Sequence, residues 1–166
     1  MSDVPETTHT PDELTIDCLA DLVSMQTVTN TSNLGIIDYL EERLGPRTGP
    51  GLMLSGHTDV VPVAGQQWST DPWTLRREAD RLSGRGACDM KGYLACMVTV
   101  VETLARTAGL ESLPGLLYLA FSYDEEIGTR GVRGLITQFA EFGYSAELCV
   151  VGEPTRMEVG AGHKSI

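Results

Sequence analysis

Four short stretches of this chain carry residues whose types and order suit metal-assisted hydrolysis. They are Gly56-His57-Thr58-Asp59-Val60-Val61-Pro62, Gly84-Arg85-Gly86-Ala87-Cys88-Asp89-Met90-Lys91-Gly92, Asp124-Glu125-Glu126 and Gly152-Glu153-Pro154-Thr155. An imidazole and several carboxylates are ligands that suit zinc, cobalt or manganese. Such a cation polarises a carbonyl and makes water a nucleophile near neutral pH. His57 and Asp59 stand two apart and would share a face in an extended segment. Alone, the pair also reads as a polar turn; in a site, His57 binds metal while Asp59 holds its other ring nitrogen. Asp89, after a Gly-x-Gly turn at the mouth of a helix, reads alone as an N-cap. Glu125 and Glu126 read alone as solvated surface; in a site, one binds metal and the other moves a proton. Glu153 alone is a turn residue before Pro154. Together they form one pattern, because apolar runs at 51–55, 116–122 and 148–151 lead into three of the four stretches. Open α/β sheets place ligands at such strand ends. His57, Asp89, Glu126 and Glu153 are therefore expected to cluster at the strand ends, with the carboxylates of Asp89 and Glu153 within about 5 Å of the His57 ring, since zinc–ligand bonds are ~2 Å.

The elements that must position these groups follow from periodicity. Thr10-Pro11-Asp12-Glu13 is a helix start, and Leu14, Cys18, Leu19, Leu22 and Val23 recur at helical spacing behind it. Leu34, Ile37, Leu40 and Leu44 mark a second helix, ended by the turn-rich stretch 45–51. Residues 66–75 read as a loop. Met90 to Arg106 reads as a helix with Met90, Leu94, Met97, Val98, Val101, Leu104 and Ala105 on one stripe. Gly131 to Phe142 reads as another, with Leu135, Ile136 and Phe139 inward. Leu148-Cys149-Val150-Val151 has the continuous apolar character of a buried parallel strand. Helices alternating with strands make the class α/β, with a mostly parallel sheet flanked by helices.

The 166 residues suit one domain, preceded by a polar stretch, 1–10, expected to be disordered. The net charge of −11 argues against nucleic acid or an anionic membrane as partner. The four cysteines, Cys18, Cys88, Cys96 and Cys149, are scattered and read as buried thiols in a reducing compartment. With no secretory signal and no apolar run of the ~18 residues that a membrane span needs, a cytoplasmic location is expected.

The blocks around His57 and Asp89 are long and specific, and they resemble the M20 metallopeptidase family, over residues 12–166. Gly65-Gln66-Gln67-Trp68, Asp71-Pro72-Trp73, Phe121 to Gly128 and Gly152 to Met157 favour its acetylornithine deacetylase branch. The resemblance implies a zinc-exopeptidase-like fold and hydrolysis of N-acetyl-L-ornithine to ornithine and acetate in arginine biosynthesis. N-succinyl-diaminopimelate or another N-acyl amino acid is the alternative small-molecule substrate. It also implies the roles: His57 and Glu153 on a first zinc, Glu126 on a second, Asp89 bridging both, Glu125 as general base and acid, Asp59 orienting His57, and a cis Asp89–Met90 peptide. Family members are more than twice as long. Residues 11–166 are thus expected to be a partial catalytic domain, without the lid and dimerisation domain or the C-terminal half. A deletion is expected near 45–51, and His163 would mark a domain junction and not a ligand. At most one zinc, with cobalt or manganese as substitutes, would then be held stably. A non-catalytic remnant that binds a metal or a partner is the rival reading.

Overall fold

The computed structural model describes residues 12–44, 50–107, 109–156 and 158–159. The expected disordered N-terminus, Pro11, the turn stretch 45–49 and His163 lie outside them. Helix α1 (Glu13–Ser24) is capped by Asp12, whose carboxylate accepts the Thr15 N–H at 2.8 Å. Cys18, Leu19, Leu22 and Val23 are buried, while Leu14 at the first turn is exposed. Helix α2 (Leu34–Leu44) buries Ile36 and Leu40; Leu34, expected on the stripe, is 69 % exposed. The apolar face of α2 is therefore centred on Leu40 as expected but turned by a fraction of a turn, taking in Ile36 and leaving out Leu34.

Strand β1 (Pro50–His57) is central. A two-stranded antiparallel hairpin, β2 (Arg76–Glu78) and β3 (Arg81–Ser83), follows the expected loop. Helix α3 (Lys91–Thr107) packs against α1 and α2 and buries Leu94, Met97, Val98 and Val101; Ala105 is exposed. Strand β4 (Leu116–Ser122), helix α4 (Val132–Glu141) and strand β5 (Ser145–Val151) complete the described chain. Among the described residues the main sheet has the order β4-β1-β5, and both pairs are parallel. The class is thus α/β, with a parallel sheet flanked by helices.

Gly56 explains how closely α3 lies on the sheet. A Cβ there would come within 2.7 Å of a Leu94 methyl and 2.9 Å of the Met90 methyl, so any larger residue at the end of β1 would have to push those side-chain tips aside. Tyr118, opposite Met53, faces the other way, edge-on to Phe139 of α4 at 5.2 Å between ring centres. Ile136 of α4 is exposed and not inward. β5 is parallel as expected but not buried: Leu148 is 61 % exposed and Val151 56 %. The cysteine expectation also needs correcting, since only Cys18 is buried, while Cys88, Cys96 and Cys149 are exposed free thiols.

Candidate metal centre

Sheet register decides what meets what. His57 ends β1 opposite Ser122, the last residue of β4. Ser55 is opposite Val151, the last residue of β5, so two further residues bring Glu153 level with His57. Thr58 pins the loop after β1 to the end of β4 with two hydrogen bonds to the Ser122 carbonyl, from its N–H at 2.9 Å and its hydroxyl at 3.0 Å. Asp89 arrives from the side, at the mouth of α3. Gly86 there takes φ +76°, a left-handed conformation in which its carbonyl accepts the Lys91 N–H at 2.8 Å. The Asp89–Met90 peptide is cis.

The three ligand types converge. His57 Nε2 lies 3.0 Å from an Asp89 oxygen and 3.9 Å from a Glu153 oxygen. One donor atom from each of His57, Asp89 and Glu153 falls within 4.8 Å of the others. The ring itself is buried, and the two carboxylates stand half-exposed at the mouth of the site. On its other edge, Nδ1 is 2.9 Å from the main-chain carbonyl of Asp59 and 3.4 Å from an Asp59 carboxylate oxygen. The tautomer is thus set first by a carbonyl, with the carboxylate behind it, and Nε2 is the nitrogen that faces the acids. The donor set of one imidazole and two carboxylates fits a zinc-like cation.

Glu125 and Glu126 sit in a 3-10 turn (Glu125–Ile127) entered through Asp124, which adopts φ +53°. Both main-chain N–H groups of the pair point at the Asp59 carboxylate, at 3.1 and 3.4 Å. Asp59 therefore serves two clients, the ring of His57 and the glutamate turn. Glu126 lies outside the compact three-residue group, although the negative charge of Asp89 reaches it.

The electrostatics are those of a crowded anionic pocket around one cation-holding ring. Burial by itself would push His57 down, but the hydrogen bonds and charge of Asp59 and the contacts to Asp89 and Glu153 raise it to about 9. Burial also works to raise Asp59, yet the His57 ring and the N–H groups of Glu125 and Glu126 hold it below the usual carboxylate range. Glu126 is raised, first by burial and then by the charge of Asp89. Lys91, buried with its ammonium on the Met25 carbonyl at 2.6 Å, is lowered by burial to about 8.

The sequence pattern does not single out Thr29, whose hydroxyl reaches both Asp59 at 3.2 Å and the Val60 carbonyl at 3.1 Å. Asp124 stands in the acidic stretch but is given no role there; its carboxylate accepts the Asn30 N–H at 2.9 Å. An isolated parallel bridge joins Val28 to Val60. The signal available was weak: a β-branched run, Thr27-Val28-Thr29, followed by Asn30 in a left-handed conformation.

An α/β sheet that delivers an imidazole and two carboxylates from its strand ends and a helix mouth defines a site that could hold a metal ion. Residues 53–164 match the model of Peptidase family M20/M25/M40, and the chain belongs to that family. It is 39 % identical over 140 residues to a succinyl-diaminopimelate desuccinylase of Granulibacter bethesdensis, a match that takes in 82 % of this chain and 35 % of the relative. It is 37 % identical over 143 residues to an acetylornithine deacetylase of Edwardsiella ictaluri, covering 86 % of this chain and 34 % of that one. The chain thus spans about a third of the length of the curated relatives it matches. Among solved structures, human carnosine dipeptidase 1 aligns with a TM-score of 0.69 at 19 % identity, over 82 % of this chain and 37 % of its own. The M20 family metallo-carboxypeptidase Sso-CP2 of Sulfolobus solfataricus aligns with a TM-score of 0.68 at 20 % identity, over 86 % and 37 %. At that identity the likeness is one of fold.

Proposed function

We propose that this chain carries the metal-binding part of an amidohydrolase that cleaves N-acyl amino acids. The observation that supports it most is the meeting of His57, Asp89 and Glu153 within 4.8 Å, beside a turn that presents Glu125. A zinc-like cation held there supplies Lewis acidity toward the amide carbonyl and toward water. The chain's own groups do the rest. Asp59 orients the His57 ring and holds the glutamate turn. Glu125 takes the proton of the attacking water and passes it to the leaving amine. Glu126, with Asp89, would hold a second cation. The half-exposed mouth at Asp89 and Glu153 leaves room for the substrate.

N-acetyl-L-ornithine is our first substrate, on the motifs around Trp68, Trp73 and Tyr123, and arginine biosynthesis the matching role. N-succinyl-diaminopimelate has equal support, since relatives of both names match the same stretch. On this reading residues 11–166 are the N-terminal part of a catalytic domain. The test is hydrolysis of both substrates by the purified chain with added zinc, beside a zinc count for the chain and for Asp89→Ala. Zinc binding that Asp89→Ala abolishes, with turnover of either substrate, supports the proposal. Zinc that binds equally well without Asp89 refutes it.

A second reading has one specific observation in its favour. Glu126 stands apart from the three-residue group, so among the described residues a second cation would find few protein ligands. A chain that binds zinc stoichiometrically but turns over neither substrate is a metal-binding module.

A further inference from the structure

The two loops that carry the chemistry, 57–60 and 124–127, are joined through a third segment that the hydrolase reading does not use. Residues 27–30 lie along the His57 loop like a short strand. The Val60 N–H donates to the Thr27 carbonyl at 2.9 Å, and the Thr29 N–H donates to the Val60 carbonyl at 3.0 Å. The Thr27 hydroxyl donates to the Thr58 carbonyl at 2.5 Å. The segment then makes two contacts of a different kind, from consecutive residues. The Thr29 hydroxyl reaches the Asp59 carboxylate, and the Asn30 N–H reaches the Asp124 carboxylate. Asp59 receives both N–H groups of the glutamate pair, and Asp124 is the residue through which the chain enters that turn.

We propose that Thr29 is a positioning residue: its hydroxyl sets the Asp59 carboxylate, and through Asp59 it keeps the Glu125–Glu126 turn in place beside His57. The proposal rests on the hydrolase reading of the site. Asp59 is fully buried, so each of its oxygens needs donors. Oδ1 has the Glu125 N–H at 3.1 Å and the His57 edge at 3.4 Å. Oδ2 has Thr29 at 3.2 Å and the longer Glu126 contact at 3.4 Å. Without the Thr29 hydroxyl, Oδ2 keeps only that longer contact, and the carboxylate plane is free to turn. The Glu125 and Glu126 N–H groups then lose a fixed acceptor. Thr29 is buried; its hydroxyl is shared between the Asp59 carboxylate at 3.2 Å and the Val60 carbonyl at 3.1 Å, and it reaches the glutamate turn only through Asp59.

The test uses the whole chain without metal, Thr29→Val and Thr29→Ala to remove the hydroxyl, and Thr29→Ser to keep it. Amide hydrogen exchange is read residue by residue. The expected result is exchange at Glu125 and Glu126 about fivefold faster in Thr29→Val and Thr29→Ala, the size of one lost hydrogen bond. Leu94 and Val98 in α3 should keep their rates, and Thr29→Ser should restore Glu125 and Glu126. Unchanged exchange at the two glutamates overturns the proposal. So does equal acceleration at Leu94 and Val98, which marks general loss of stability, or a Ser variant that behaves like Val. If Val does not fold, the Ala and Ser pair decides alone. Zinc titration of the unsubstituted chain and Asp89→Ala judges the hydrolase reading separately, because the exchange comparison needs no metal.

Discussion

His57 sits among Asp59, Asp89 and Glu153, so a proton and a cation compete for the same nitrogen. Its pKa of about 9 means that zinc must displace a proton below that pH. Zinc affinity is expected to rise about tenfold per pH unit from 6 to 8 and to level off near 9. Calorimetric titration in buffers of different ionisation heat checks it, and a flat affinity would show that the ring binds neutral. In chelator, the same shift is a stability statement. The folded-state pKa lies above the free value of 6.5, so the contribution is complete below pH 6.5 and is lost as pH rises through 9. Its size is on the order of 3 kcal/mol. Lys91 has the opposite sign: its pKa of about 8 lies below the free 10.5, so stability returns between pH 8 and 10.5. The metal-free melting temperature should fall from pH 6.5 to 8, flatten to 9 and then rise. His57→Asn should remove the fall and Lys91→Met the rise. Glu125→Gln, in contrast, is expected to leave zinc content unchanged and to lower any turnover at least the ~10²-fold typical of a lost general base. Full turnover in that variant would mean that the proton moves elsewhere.

At the scale of elements, two glycines in helices predict opposite outcomes. Gly92, in the first turn of α3, has no room: a Cβ would stand 2.4 Å from the Ala87 carbonyl oxygen, which is backbone and cannot swing away. Gly92→Ala should cost about 1–3 kcal/mol, as overpacking does, and should shift Asp89 just before it. Gly134, inside α4, meets nothing within 4 Å, so Gly134→Ala should stabilise by about 0.5–1 kcal/mol. Urea unfolding of both variants decides, and equal effects would contradict the packing of α3. The elements were legible where periodicity was clean. β4 spans the apolar run 116–122 that the sequence predicts, and α3 nearly matches its stripe. The hairpin β2–β3 was not legible. Arg76, Arg77, Glu78 and Arg81 hide any apolar alternation, and its turn takes Ala79 at φ +49°, where Asn or Gly is the usual signal. Apolar spacing also could not choose between Leu34 and Ile36, because they lie on opposite edges of a stripe that runs through Ile37 and Leu40, and only packing selects the inward one.

For the molecule as a whole, the described sheet leaves β5 at an edge. Leu148, Val150 and Val151 are exposed there, with no lysine or proline to discourage another strand. The charge of −11 opposes approach of a second copy and is screened by salt. Self-association of the chain should therefore grow with concentration and with ionic strength, and Val150→Lys should weaken it. Light scattering behind a sizing column measures both, and a monomer at all salt concentrations would show that the edge is protected. Among the described residues, no helix is long and apolar enough to cross a membrane.

The ligand types, their order and the strands and helix mouth that bear them were set by the sequence itself. Short blocks such as Gly56 to Pro62 and Gly84 to Gly92 encode local turns, and local turns depend on neighbours in the chain. What only the tertiary structure decided was how those blocks meet. Glu153 reaches His57 because β5 ends two residues short of β1's last residue. Asp59 faces His57 with its carbonyl and the glutamate turn with its carboxylate. Thr29 and Asp124 enter the site from 30 residues before Asp59 and 65 after it. Those contacts join residues far apart in the chain, and no local preference encodes them; they exist only once parallel register and helix packing have brought the strand ends together.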